Sequence, residues 1–393
     1  MQNFNEQADE LFPYTQTLRR DFHLHPELGF QEVRTAGIVA RELRELGIEV
    51  STGVGKTGVV GLIEGGKPGP ILLLRADMDA LPIHEETGAA YASTNEGVMH
   101  ACGHDGHTAI LLTVAKMLHQ VRGQIPGTIK LVFQPAEEGM GGAEAMIQDG
   151  VLESPKVDLA IGLHVWNEKP VGWLGIAGGP TMAGAEKFSI RLTGKGAHGA
   201  APHLGADPVV AGAQIVSALQ SIVARNVAPL EAAVVSVTTF HAGDAFNVIP
   251  QYAELTGTIR TFKPSVRETV LRRFSEIIEG AAGAMSCRAE IDLIRLTPPV
   301  INEPRITEIV QRAARQTLPD HELSTVNHIT MGSEDFAFFM EKVPACFFFV
   351  GSADEKRGLD YGHHHPKFDF DEAVLSQGAA LLAQAALDLL ASY

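Results

Sequence analysis

Two adjacent carboxylates, Glu137 and Glu138, follow an apolar run in Leu131-Val132-Phe133-Gln134-Pro135-Ala136-Glu137-Glu138-Gly139. Neighbouring residues on one backbone point in different directions, so one can hold a metal while the other moves protons. Metal-assisted hydrolysis needs that division of labour. The densest cluster of ligand-type side chains is His100-Ala101-Cys102-Gly103-His104-Asp105-Gly106-His107. It precedes a helix predicted over Thr108 to His119, whose positive N-terminus would favour a thiolate at Cys102. Taken alone, the cluster also suits a structural cysteine, or a cysteine nucleophile paired with histidine. His164 at the end of another apolar run, and His363-His364-His365-Pro366, shift the weight to a metal centre.

Groups so far apart in sequence need a scaffold that brings them together. Ile71-Leu72-Leu73-Leu74-Arg75, Thr128 to Phe133, Leu159-Ala160-Ile161-Gly162-Leu163 and Cys346 to Val350 read as strands covered on both faces. Three of them end in chemistry: Asp77-Met78-Asp79, the paired glutamates, and His164. In open α/β sheets, ligands bind beyond the carboxyl ends of the strands. An amphipathic helix is predicted over residues 5 to 25, its polar end from Arg19 to His25 solvated, and a second over Glu32 to Leu46, stopped by Gly47. Gly53-Val54-Gly55-Lys56-Thr57-Gly58 has the spacing of a dinucleotide-binding turn, but a strand follows where a helix is required, so it reads as a hairpin.

After the hinge-like Gly178-Gly179-Pro180-Thr181-Met182-Ala183-Gly184 the pattern changes. Strand (Lys187 to Thr193), helix (Pro208 to Arg225), strands (Ala233 to Thr239, Ala253 to Thr261), helix (Val266 to Ala284) and strand (Arg288 to Leu296) follow the ferredoxin-like order. The expected architecture is α/β: a larger catalytic domain with a central mixed sheet flanked by helices (1–182 and 298–393), and an inserted α+β lid or dimerisation domain (183–297).

A chain of 393 residues fits two domains. Its net charge of −16 argues against nucleic-acid binding, which needs a basic face. The N-terminus lacks the pattern of a secretory signal, and no apolar run reads as long enough for a bilayer. Three cysteines, Cys102, Cys287 and Cys346, fit a reducing cytoplasm better than a disulfide framework.

Arg75-Ala76-Asp77-Met78-Asp79-Ala80-Leu81-Pro82, the His100–His107 cluster, Phe133-Gln134-Pro135-Ala136-Glu137-Glu138-Gly139 and Gly162-Leu163-His164-Val165 resemble the aminoacylase/carboxypeptidase metallopeptidase family, in its hippurate hydrolase and auxin-amino-acid amidohydrolase branch. The segments 194–203, 246–250, 257–260 and 364–368 extend the likeness over nearly the whole chain. The resemblance implies two divalent ions (zinc, manganese or cobalt, the choice open) held by Cys102, His104, Glu138, His164 and His364, with Glu137 as general acid/base. Any of the three consecutive histidines could ligate; the position two before Pro366 favours His364. Asp79 would orient a ligand histidine without touching an ion. His198 would stabilise the oxyanion, from the partner subunit of a dimer in many relatives, and Arg260 with Asn247 beside it would bind a substrate carboxylate. The expected reaction is hydrolysis of the amide bond of N-acyl or N-aroyl amino acids of hippurate type. Alternatives on the same machinery are a dipeptidase or carboxypeptidase and an N-acetyl-amino-acid deacetylase. Met331-Gly332-Ser333-Glu334-Asp335-Phe336, a polar loop before an apolar run, carries no assigned role.

Overall fold

Strands that are apolar throughout need cover on both faces, and the four apolar runs lie side by side. In the computed structural model, Pro126–Gln134, Lys67–Asp77, Leu159–Pro170 and Ala345–Ala353 are neighbouring parallel strands at the centre of an eight-stranded mixed sheet. The structure describes residues 3–326 and 329–392. Glu49–Val54 and Gly58–Glu64 extend one edge as an antiparallel hairpin, while Trp173–Gly175 and Glu322–Ser324 extend the other. Arg75 lies opposite both Val132 and Gly162, and Asp77 opposite Gln134, so the strand ends carrying the candidate residues are level.

Helices cover this sheet. His104–Gln120 is buried along nearly its whole length, and Ala373–Ser392 packs on it with Leu375, Leu381, Leu382 and Leu389 in the core. By length and composition Ala373–Ser392 and Pro208–Asn226 could each cross a membrane, which departs from the sequence reading. Two-thirds of the most apolar window of Ala373–Ser392 is buried inside the fold, as in a core helix.

The first predicted helix is two, Phe4–Glu10 and Phe12–Leu24, because Pro13 restarts the chain in a new first turn. Its polar end is not solvated. Arg19 is fully buried, bonded to Asp105 at 2.8 Å, Asp369 at 2.7 Å and Glu372 at 3.3 Å, while His23 Nδ1 meets Asp105 at 2.7 Å. Removing one partner of a buried ion network leaves the others unpaired in a poor solvent. Arg19→Ala is therefore expected to destabilise the fold by about 3–5 kcal/mol in urea unfolding; a loss under about 1 kcal/mol would show the network to be marginal.

The chain divides into two units: Met1–Gly179, Ile301–His328 and Asp335–Tyr393 form one, and Pro180–Val300 with Ile329–Glu334 the other. Ile329–Glu334 falls inside the stretch expected to be catalytic, yet it lies with the inserted unit. The reason is local: the Thr330 N–H donates to Thr181 O, and the Ala183 N–H donates to Thr330 O and Gly332 O. In this unit Gly184–Thr193, Pro208–Ser221, Ala233–Ala242, Tyr252–Thr261, Pro264–Ala284 and Arg288–Thr297 follow the ferredoxin-like order, and the four strands pair antiparallel. Phe188, Ile190 and Leu192 alternate inward in one core with Phe274 and Ile278 of the Pro264–Ala284 helix, while Lys187 and Arg191 face outward.

Candidate metal centre

The Pro126–Gln134 strand cannot continue through Pro135, and Ala136 turns with a left-handed φ of 52°. Its N–H donates to Glu32 Oε1 at 2.9 Å, and that of Glu138 donates to Asp79 Oδ2 at 3.0 Å. Two other elements thus hold the turn that presents Glu137 and Glu138. Cys102 arrives from the start of the His104–Gln120 helix, which begins four residues earlier than predicted. Gly103 joins them with φ 93°; a Cβ there would lie 2.3 Å from Val165 Cγ2, so only glycine fits.

Hydrogen bonds sort the histidines. A ring nitrogen facing an oxygen acceptor carries the proton, and one receiving an N–H offers a lone pair. His104 Nδ1 faces Asp79 O at 2.9 Å and Oδ1 at 3.2 Å, leaving Nε2 buried without a hydrogen-bond partner. His164 Nδ1 faces Val165 O at 2.5 Å, which leaves the Nε2 lone pair 3.5 Å from Cys102 Sγ. An imidazole tied at one nitrogen and open at the other is in the form that ligates metal. His107, by contrast, is used at both ends: Nδ1 donates to Asp77 at 2.6 Å and Nε2 accepts the Val165 N–H at 2.9 Å.

The three consecutive histidines differ in their contacts, and His363 Nδ1 lies 3.8 Å from Cys102 Sγ. His363 Nε2 accepts the Asn167 N–H at 3.2 Å, and His365 Nδ1 accepts the Lys367 N–H at 3.0 Å while its ring stacks on Tyr361. His364 alone projects Nε2 to Glu138 Oε1, at 3.1 Å. It does so from a left-handed backbone, φ 67°, a strained conformation for a residue with a side chain.

Among the described residues, five sets of potential ligand atoms each lie within 4.8 Å of one another: Cys102, His104 and His164; Cys102, Glu138 and His364; His104, Glu137 and Glu138; Asp77, His104 and His107; and Glu137, Glu334 and Asp335. The first two sets share Cys102 and together hold all five candidate ligands, which suits two neighbouring ions. Burial and then the Glu138 carboxylate push the Cys102 thiol up, against the lowering expected from the helix N-terminus. The correction has a simple cause: Cys102 precedes the helix and sits in low dielectric beside a negative charge. Burial opposes a proton on His104, yet Asp77 and Cys102 push that imidazole well above its ordinary range. Hydrogen bonds to the Cys102 sulfur and to Glu138 push His364 up to about 10. Burial and neighbouring His107 and His363 hold His164 well below its ordinary range. A thiol, two carboxylates and imidazole nitrogens converging from separate elements form a donor set that fits divalent cations.

Asp79 holds both the His104 ring and the Glu138 backbone, the positioning part the resemblance implied. Asp77 is spent on His107 and on Arg75, 2.7 Å away. Sequence reasoning gave no warning of what lies behind Glu137: its Oε1 accepts the Asp335 N–H at 3.2 Å.

In the inserted unit, His198 lies opposite Val248 in a short ribbon, and the next N–H, from Gly199, donates to Asn247 O at 2.8 Å. This ribbon continues the Gly184–Thr193/Tyr252–Thr261 ladder beyond the Thr193–Tyr252 pair. Arg260 is eight residues from Tyr252 on that strand, about 26 Å along it at the usual rise per residue. Asn247 is therefore not beside Arg260 within one chain, because the strand runs the other way from the ribbon. Arg260 is half-buried and donates to the Thr258 hydroxyl and to Ile259 O at 3.2 Å; among the described residues it forms no ion pair. The nearby Glu186 pairs with Arg267 instead.

The Peptidase family M20/M25/M40 matches residues 73–388. An N-acetyl-L-cysteine deacetylase of Bacillus subtilis is 40% identical over 95% of this chain and 88% of its own. Thermostable carboxypeptidase 1 of Saccharolobus solfataricus is 42% identical over 93% of each chain. Among solved structures, a dinuclear metal binding peptidase of the M20 family from Bacillus subtilis superposes with a TM-score of 0.86 at 36% identity, covering 98% of this chain and all of its own.

Proposed function

This chain belongs to peptidase family M20/M25/M40 and is a metal-dependent hydrolase of amide bonds, and we propose that it hydrolyses N-acyl or N-aroyl amino acids. The observation that carries the reading is the meeting of Cys102, His104, Glu138, His164 and His364 donor atoms beside Glu137. In this reading those five residues hold two divalent ions. When bound, such ions polarise a carbonyl and lower the pKa of water toward neutrality. Glu137 takes the proton from the attacking water and hands it to the amine nitrogen as the C–N bond breaks. Asp79 keeps His104 and the Glu138 turn in place throughout.

His198 stabilises the oxyanion and Arg260 binds the substrate carboxylate through its guanidinium fork. The separation of Arg260 from the His198–Asn247 ribbon along the strand supports a homodimer in which one copy supplies Arg260 and the other supplies His198 and Asn247. Three free cysteines favour a reducing cytoplasm.

A substrate panel tests this function. N-acetyl and N-benzoyl amino acids with a free carboxylate are expected to turn over, and their methyl esters poorly. Arg260→Ala should raise KM for the free acids about 10–100-fold, the worth of a charge-assisted hydrogen bond, with little change for the esters. Higher kcat/KM on unblocked dipeptides than on every N-acyl substrate would replace the reading with the peptidase alternative, which the carboxypeptidase likeness keeps in view.

A further inference from the structure

The loop Met331-Gly332-Ser333-Glu334-Asp335-Phe336 has no part in the proposed chemistry, yet one of its residues reaches the proton-carrying glutamate. Asp335 is 1% exposed. Its Oδ1 accepts from Arg75 Nη2 at 3.0 Å and from Gln134 Nε2 at 2.7 Å. Its Oδ2 accepts the Ala143 N–H at 2.9 Å, in the first turn of the Gly142–Gln148 helix. Arg75 is itself fixed, its Nε donating to Gln134 Oε1 at 2.9 Å and its Nη1 to Asp77 Oδ2 at 2.7 Å. With the side chain anchored by three donors, the backbone of Asp335 has little freedom, and its N–H is held on Glu137 Oε1.

We propose that Asp335 is a positioning residue for Glu137: the Arg75–Gln134–Ala143 cradle holds its carboxylate so that its backbone N–H fixes one oxygen of the general base. A carboxylate pinned by one oxygen presents the other in a single orientation, and a base that must serve twice in one turnover gains from not re-finding its place. Gln134 makes the arrangement self-consistent, because it ends the strand that leads into Glu137 and also grips the residue that pins it. The inference rests on the reading of Glu137 as acid/base.

The test compares Asp335→Ala, Asp335→Asn and Glu137→Gln for kcat, KM, bound ions per chain and crystal structure. Asparagine can keep the Oδ1 acceptor for Arg75 and Gln134 and loses the Oδ2 acceptor for Ala143. Misplacing a catalytic group by about 1 Å can cost about 10²-fold, so Asp335→Ala should lose about 10–100-fold in kcat. KM and ion content should stay near wild type, and Asp335→Asn should be intermediate. The alanine variant's structure should show Glu137 in a second rotamer. Wild-type kcat in Asp335→Asn together with an unmoved Glu137 in its structure would overturn the proposal, and this variant decides if alanine fails to fold. Loss of bound ions in both variants would overturn it as well, by making Asp335 a support of the whole centre. Should Glu137→Gln keep its turnover, the acid/base reading falls first and takes this one with it.

Discussion

Glu137→Gln is expected to lower kcat by at least about 10³-fold, toward the upper end for a general base because the same group acts in both halves of the reaction. The ion content should not change, since Glu138, on the neighbouring residue, is the carboxylate 3.1 Å from His364. Steady-state kinetics alongside elemental analysis checks both statements on one sample. A glutamine variant that has lost its ions as well would show that the two carboxylates do not divide the work. Unchanged turnover would remove Glu137 from the acid/base role.

The second large effect follows from the donor set. Exhaustive treatment with a chelator should bring amide hydrolysis to baseline, and added manganese, zinc or cobalt should restore it. Cys102→Ala should lose ion content and activity together and should not be restored by added metal at concentrations that rescue the chelated wild type. The alternative of a cysteine nucleophile predicts activity that survives the chelator, since such an enzyme works without a metal. Burial and Glu138 push the Cys102 thiol up, which is unfavourable for a free nucleophile and is reversed only by a nearby cation.

How far the sequence reached depends on the range of the interactions involved. The four central strands were readable because burial on both faces leaves an unbroken apolar run, and they are the four neighbours at the middle of the sheet. The order of the inserted unit was readable from alternation and helical period. The polar end of the first helix was misread because Arg19 finds its carboxylates 86, 350 and 353 residues away. Lys130 gave no warning either: it sits 2% exposed in a central strand, its three donors met by Val151 O, Glu153 O and Pro155 O at 2.8 Å each. Asp335 belongs to the same class, with partners 260, 201 and 192 residues distant. Which histidine nitrogens are open is likewise a property of the assembled backbone; the sequence favoured His364 only through its position before Pro366, and its contact with Glu138 is visible only in the fold.

Anomalous diffraction from crystals grown with manganese or zinc tests the central claim most directly. Two peaks about 3.5–4 Å apart, as in other two-metal centres, are expected among Cys102, His104, Glu138, His164 and His364, with Glu137 beside them and bound to neither. Density elsewhere, or none at these five residues in protein that still hydrolyses amides, would contradict the account.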